Sequence, residues 1–261
     1  MDRYSSNRGP ASKGLFARTL TLAGVLLLLF SGRACAYRPF DGTDAGVASA
    51  RTLEVELGPV EYSRSGMERL LIVPSFSLAY GAGAGYEFSV DARRFMVMSP
   101  DAEGKKPKID DVELSATRVL RNGSIQDKRG LSLAVETALL LPTADEKTLG
   151  AELSLVASHA WSGLALHLNG EVSKTRSDEF GRFASLIAEG PEWGHVRPAG
   201  EVSWSRDGDA AIARALLLGV IWQTRSGLAM DFAVLTGSAD EKEVEIRSGI
   251  TWNRHVSGPR I

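Results

Sequence analysis

The sequence predicts an all-β protein, a transmembrane antiparallel up-and-down β-barrel of about twelve strands. Apolar and polar residues alternate at period two along most of the chain after residue 36, and no segment there shows a convincing helical period. The alternating runs average roughly ten residues, the length that a tilted strand needs to cross a bilayer. Strands of soluble proteins more often stop at about five or six residues. Run length therefore favours a membrane barrel.

The N-terminus has the features of a secretory leader. Basic residues precede the apolar stretch Leu20–Phe30, and an A-x-A site at 34–36 follows it. These are the parts of a leader, and the apolar core is about half as long as a membrane-spanning helix. We predict a signal peptide over residues 1–36 with cleavage after Ala36. The alternatives are an uncleaved anchor and a lipoprotein modified at Cys35.

The predicted mature chain is acidic. Without residues 1–36 it keeps 25 basic and 31 acidic residues, a formal net charge of −6, and it has no cysteine. The charge, and the lack of a basic run with interleaved aromatics, predict no nucleic-acid partner. Disulfides and thiol chemistry are excluded. None of the four histidines has metal-ligand spacing, so we expect no metal, no cofactor and no enzymatic activity.

The alternating runs define the predicted strands and their connections. Turns such as GAG and WSG are short, whereas the other set of connections contains the long polar loop MVMSPDAEGKKPKID. This asymmetry is typical of outer-membrane barrels. We predict a periplasmic segment or plug at 37–51, a barrel at 52–252 and a tail at 253–261. The predicted strands lie near residues 52–63, 69–80, 84–95, 112–121, 131–141, 149–160, 164–175, 181–189, 197–206, 210–223, 228–235 and 243–252.

The stretch SLAYGAGAGYEFSV, residues 77–90, has glycines at alternate positions. A phosphate-binding glycine loop must lead into a helix, because the N-terminal amides of that helix hold the anion. Here Gly85 is followed at once by YEFSV, an alternating strand. The motif therefore predicts a hairpin turn and argues against a nucleotide-binding enzyme.

The two faces of the better-patterned strands differ in charge. The apolar face carries almost none, as expected where a Lys or Arg facing lipid at midplane costs roughly 2–4 kcal/mol. Outer-membrane lipid is therefore an expected partner, and the sheet must close because an open edge in lipid leaves backbone groups unpaired. By strand parity we place these side chains in the lumen: Glu54, Glu56, Glu87, Asp91, Arg93, Glu113, Glu136, Glu152, Glu171, Glu201, Asp231, Glu243, Glu245 and Arg247.

These lumen residues allow two interpretations. In the first, the lumen is an acidic passage for cations or neutral solutes, because rings of carboxylates in pores favour cations over anions. In the second, the charges are ordinary solvated or Arg-paired residues. Eight strands leave room only for side chains and sixteen leave an aqueous channel, so about twelve predict a narrow or gated lumen. Residues 37–51, with Arg38, Asp41 and Asp44, form either a plug that meets wall charges or a loose periplasmic tail.

The mature start YRPFDGTDAGVASARTLEVELGPVEY and the segments LIAEGPEWGHVRPAGEV, LLLGVIWQTRSGLAMDFAVLTG and EVEIRSGITW carry a family resemblance. They resemble, in order and spacing, the outer-membrane family described as transporters of the phenol-degradation meta pathway (MetA-like). The family often has two adjacent acidic residues after the Thr, where this chain has only Asp44. The segment EVEIRSGITW also resembles the signal recognised by barrel-assembly machinery, although nine residues follow Trp252 here.

The resemblance implies an outer-membrane barrel that moves small, often hydrophobic compounds. The predicted function is passive, porin-like transport of small compounds, including hydrophobic or aromatic ones, through a narrow acidic lumen in the outer membrane of a Gram-negative cell. The solute itself stays unknown. The alternatives are a structural or adhesive barrel that uses the 96–111 loop as its contact surface, and a soluble periplasmic β-protein.

Overall fold

The computed structural model describes residues 38–98, 106–143, 146–224, 227–239 and 241–256. The predicted signal peptide and its cleavage site at Ala36 lie outside these ranges and stay predictions. Within the described residues, no helix is long and apolar enough to cross a membrane.

The described strands form one closed antiparallel sheet. Their order in space follows their order in the chain, and the last strand returns to pair with the first two. This confirms the predicted all-β up-and-down barrel. The strands are β1 (Thr52–Gly58), β2 (Glu61–Ser65), β3 (Glu68–Gly83), β4 (Tyr86–Val97), β5 (Lys108–Arg121), β6 (Ser132–Leu140), β7 (Gly150–Trp161), β8 (Leu164–Lys174), β9 (Phe180–Glu189), β10 (Val196–Asp207), β11 (Ala213–Gln223), β12 (Leu228–Ser238) and β13 (Lys242–His255).

The predicted first strand, 52–63, is divided into β1 and β2. Both lie between β13 and β3, so together they fill one of twelve positions around the barrel. Pro59 lies in the break, and its missing amide hydrogen removes a donor from the ladder. The predicted count of about twelve strands therefore holds for positions around the barrel.

Several strand ends differ from the predicted ones. β4 continues to Val97 and β5 begins at Lys108, so sheet pairing extends into the predicted 96–111 loop. β13 continues past Trp252 to His255, into the predicted tail. Ser124–Gln126 form a short 3₁₀-helix inside the connection between the predicted strands 112–121 and 131–141. Polar residues at strand ends pair as readily as apolar ones, so alternation alone underestimates the length of a strand.

Exposure alternates along the strands, which fixes an outer and an inner face. The outer face is apolar, with Leu155, Leu168 and Leu218 each about three-fifths exposed, at 59%, 58% and 62%. The inner face is buried and mostly polar. We call the end of the barrel where β1 begins and β13 ends the terminal rim, and the opposite end the loop rim.

Candidate functional site

The N-terminal segment, residues 38–50, lies inside the barrel. Its backbone N–H groups donate hydrogen bonds to inward-facing side chains on β4, β7, β8 and β10. The sequence allowed either a plug or a loose periplasmic tail here, and these contacts have the geometry of a plug. The bonds run from Asp41 and Gly42 to Glu201 (2.7 and 2.9 Å), from Thr43 to Asn169 (3.0 Å), from Ala45 to Ser158 (2.8 Å) and from Ala48 to Glu87.

Two ion pairs join the N-terminal segment to the wall near β2 and β13. Arg38 pairs with Glu61, and its Nη1 also lies 2.7 Å from Ser75 Oγ. Arg247 Nη1 lies 2.6 Å from Asp41 Oδ1 and 2.9 Å from the carbonyl oxygen of Pro39. Extended backbone and oppositely charged side chains thus hold the segment together.

Two glycines permit this close approach. A Cβ on Gly81 would lie 2.2 Å from the carbonyl oxygen of Ser49, and a Cβ on Gly42 would lie 2.5 Å from Ser185 Oγ. The predicted hairpin turn lies further along the same motif, at Ala84 and Gly85, which have φ of 53° and 78°. Gly81 therefore leaves room for the N-terminal segment at the terminal rim, a role that the sequence did not reveal.

A buried cluster anchors the middle of the N-terminal segment. His167 Nδ1 lies 2.9 Å from Ser158 Oγ, and His167 Nε2 lies 3.2 Å from Glu189 Oε1, outside good hydrogen-bond geometry. Arg197 Nη1 lies 2.6 Å from the other oxygen of Glu189. The residue types are those of a hydrolytic triad, but Ser158 has no exposed surface and its Oγ accepts the Ala45 amide. We therefore interpret the cluster as an anchor.

His159 and His167 are eight residues apart on neighbouring strands, but they do not face one another, because His167 is paired with Ser158 and His159 with Leu166. Adjacent strand residues point to opposite faces, so His159, which follows the inward-facing Ser158, points the other way. Its ring stacks on Trp161 with centroids 5.4 Å apart.

Asp44 lies beside this cluster. Burial inside the barrel raises the pKa of the Asp44 carboxyl from its ordinary value. The charge of His167 and a hydrogen bond from the Gly46 amide oppose the shift without cancelling it. Proton uptake by Asp44 therefore favours the docked N-terminal segment.

Most of the fourteen residues that parity predicts in the lumen form two groups. Arg93 pairs with Asp111, while Glu201 binds the N-terminal segment. Glu243, Glu245 and Arg247 line a cavity of about 460 Å³ toward the loop rim, and Asp231 is buried on β12. The remaining carboxylates form an acidic wall on β1 and β4–β8, consisting of Glu54, Glu56, Glu87, Asp91, Glu113, Glu136, Glu152 and Glu171.

Space remains between the N-terminal segment and the acidic wall. A cavity of about 330 Å³ is bounded on one side by Phe40–Thr43 and on the other by carboxylates including Glu87 and Glu136. A second cavity of about 450 Å³ near the loop rim is lined by Glu152 and Glu171. Asp41 lines both of these and the 460 Å³ cavity as well, so the segment divides the lumen space.

The lumen also has an apolar wall, which parity reasoning missed. It is formed by inward-facing side chains of β10–β12, and Phe40 packs against it. The signal was present in ALLLGVIW, residues 215–222, which is apolar at consecutive positions, as strands buried on both faces are. The wall consists of Ala199, Leu217, Ile221, Ala229, Ala233 and Leu235.

Within the described ranges, no group of three or more His, Cys, Asp and Glu side chains converges as metal ligands would. The site is therefore a lumen with one acidic wall, one apolar wall and a peptide segment between them.

Solved outer-membrane channels share this fold. The COG4313 outer membrane channel from Pseudomonas putida F1 superposes with a TM-score of 0.62 at 12% identity, over 82% of this chain and 100% of that one. The KdgM porin superposes with a TM-score of 0.51 at 10% identity, over 77% of this chain and 99% of that one. Identities this low show the fold alone. The fold is that of an outer-membrane channel.

No family model matches the chain, and no curated protein matches it. The resemblance to the MetA-like family therefore stays a prediction from the quoted motifs.

Proposed function

We propose that this chain is an outer-membrane channel through which small solutes move passively, and that the N-terminal segment narrows its lumen. The fold supports the channel class. An apolar outer face and a polar, partly hollow interior suit a protein that meets hydrocarbon outside and solute inside. The predicted leader supports export to the outer membrane.

The observation that carries the proposal is the cavity between the N-terminal segment and the acidic wall. Its carboxylates come from neighbouring strands, and like charges from Glu87, Asp91 and Glu136 act on one another there. Carboxylates grouped around a pore attract cations and repel anions. The proposed passage therefore favours cations and neutral solutes over anions.

Planar-bilayer recordings of the mature chain in a KCl gradient test this proposal. We expect a reversal potential that indicates cation preference, and a lower preference after Glu136→Gln, which removes a carboxylate that lines this cavity. Glu192→Gln is the matched control, because Glu192 lies in the 190–195 turn outside the lumen. Anion preference would reject the acidic passage.

Liposome swelling separates a channel from a structural or adhesive barrel. We expect uptake of small neutral solutes into vesicles that contain the mature chain. Absence of flux with every solute, together with absence of ion current, would favour the structural barrel.

Partition into the outer-membrane fraction with heat-modifiable migration on gels tests the proposed location. A mature chain that stays folded as a monomer in plain buffer would contradict that location.

A further inference from the structure

We propose that the lumen contains a binding site for an aromatic solute that carries an ammonium group, and that Arg38–Phe40 occupy this site in the docked state. The inference rests on the proposed channel function and adds a class of solute to it. In the docked state the guanidinium of Arg38 and the ring of Phe40, two residues apart, take the places that the ammonium group and the ring of the solute would take.

The apolar wall supplies the site for the ring. Phe40 packs against Ile221 and Leu217, which are 2% and 1% exposed, and against the alanines beside them. Removing apolar surface from water is favourable in proportion to the area covered. If the N-terminal segment leaves, this wall faces the lumen uncovered, and another planar apolar group gains the same free energy by covering it.

Asp231 supplies the site for the cation. It lies directly opposite Ile221 across the β11–β12 pair and is 6% exposed. Neither of its carboxylate oxygens has a hydrogen-bond partner among the described residues. Arg38, which is bonded to the neighbouring Glu61, and Arg247 are the cations whose charges act on it. A buried carboxylate is costly without a paired charge, so this group favours a cationic neighbour beside the apolar wall.

Departure of the N-terminal segment removes one of these two cations. Arg38 moves with the segment, whereas Arg247 stays on β13, where Glu245 also binds it at 2.7 Å. Glu61 then loses its ion-pair partner, and Asp231 is left with Arg247, which it shares with Glu245, as its counter-ion. An ammonium group on an aromatic solute restores the lost charge while its ring covers the apolar wall.

Glu201 adds a second acceptor to the same wall. It pairs with Leu217 across β10 and β11, and its two oxygens accept the amides of Asp41 and Gly42 in the docked state. Both oxygens become available when the segment leaves. A neutral hydrocarbon would supply no donor to either carboxylate, which is unfavourable for buried acceptors, and an aromatic anion would be repelled. The wall therefore selects a ring joined to a donor cation.

Block of the ion current by benzylammonium tests the proposal on the mature chain in a planar bilayer. Because solute and N-terminal segment compete, Phe40→Ala is expected to lower the half-blocking concentration by roughly tenfold or more, through loss of the competing ring. Phe88→Ala is the matched control, since Phe88 lies on the outer face at 53% exposure. If Phe40→Ala assembles poorly, Phe40→Leu is expected to give an intermediate value.

Methylammonium, which lacks the ring, and phenylacetate, which lacks the cation, are expected to block far less. Asp231→Asn is expected to raise the half-blocking concentration of benzylammonium by roughly tenfold. Glu152→Gln, which removes one carboxylate from the acidic wall, is expected to change it little. Each block is measured relative to the variant's own current.

Each of three results would overturn the inference. The first is that methylammonium blocks as well as benzylammonium, and the second is that Asp231→Asn and Glu152→Gln have equal effects. The third is that a Phe40 variant keeps the wild-type half-blocking concentration. A cation-preferring current that benzylammonium does not block would overturn it and leave the channel function standing. Absence of any current would reject both.

Discussion

Replacing Arg247 with Gln should release the N-terminal segment from the lumen. Arg247 holds the segment at two points, the Asp41 carboxylate at 2.6 Å and the Pro39 carbonyl oxygen at 2.9 Å. Glu245 binds the guanidinium from the wall side and orients it. Glutamine is shorter and uncharged, so Arg247→Gln removes both contacts to the segment while it leaves the strand polar.

The magnitude follows from the exposure of each contact. The Asp41 side chain is 32% exposed, so its ion pair is screened and contributes about 1 kcal/mol. The bond to the Pro39 carbonyl adds about 1 kcal/mol. Together they contribute about 2 kcal/mol to docking, which corresponds to about a 30-fold lower ratio of docked to undocked segment.

A reporter cysteine measures this ratio. The chain after residue 36 contains no cysteine, and Ala45 is fully buried in the docked segment, so Ala45→Cys places a single buried thiol in the mature protein. Maleimide should label this thiol about 30-fold faster in Arg247→Gln, because labelling requires undocking and follows the undocked fraction.

Arg182→Gln in the same reporter background is the matched control. Arg182 lies over the Phe180 ring near the loop rim and does not touch the segment, so the labelling rate should stay at the reporter value. A labelling rate unchanged by Arg247→Gln would show that these two contacts contribute nothing to docking.

Two further predictions use the same reporter. Measured relative to a free thiol labelled at the same pH, which corrects for the falling thiolate fraction, labelling of the otherwise unchanged reporter should slow as pH falls from about 7 toward 4. The reason is that the raised pKa of Asp44 makes the docked state bind a proton more tightly than the undocked state. Asp44→Asn should label slowly at neutral pH and should lose most of this pH dependence, and a full dependence in that variant would assign it to another group. Gly81→Val should speed labelling, because its side chain would meet the carbonyl oxygen of Ser49. Gly170→Val should not speed labelling, because a Cβ there meets nothing within 4 Å. Equal labelling rates in the two variants would count against close approach at Gly81.

Much of the barrel follows from local pattern. Period-two alternation predicted the strands because the pleat sends successive side chains to opposite faces, and the cost of an open edge in lipid predicted closure. The division at Pro59 was missed, although proline within a strand is a recognised break. The continuation of pairing to Val97 and from Lys108 was missed because Phe95–Val97 is apolar throughout and the pair Asp110–Asp111 interrupts the alternation.

The candidate site was predicted in part. Parity assigned residues such as Glu87 and Glu201 to the inner face because each strand carries that information by itself. The contact of Glu87 with Ala48 joins residues that are 39 positions apart in the chain, and the contact of Glu201 with Asp41 joins residues that are 160 positions apart. No local pattern contains such contacts. The apolar wall was missed because parity reasoning assumed that every apolar side chain faces lipid.

The sequence by itself determined the strands, the apolar outer face and the acidic character of the inner face, because each depends on the order of residues within one strand. Only the tertiary structure decided that residues 38–50 lie inside the lumen and that Phe40 covers an apolar wall beside Asp231. Those facts depend on which strands face each other across a closed ring. Closure brings distant charges and surfaces together, and the free energy of their contacts has no signature in local alternation.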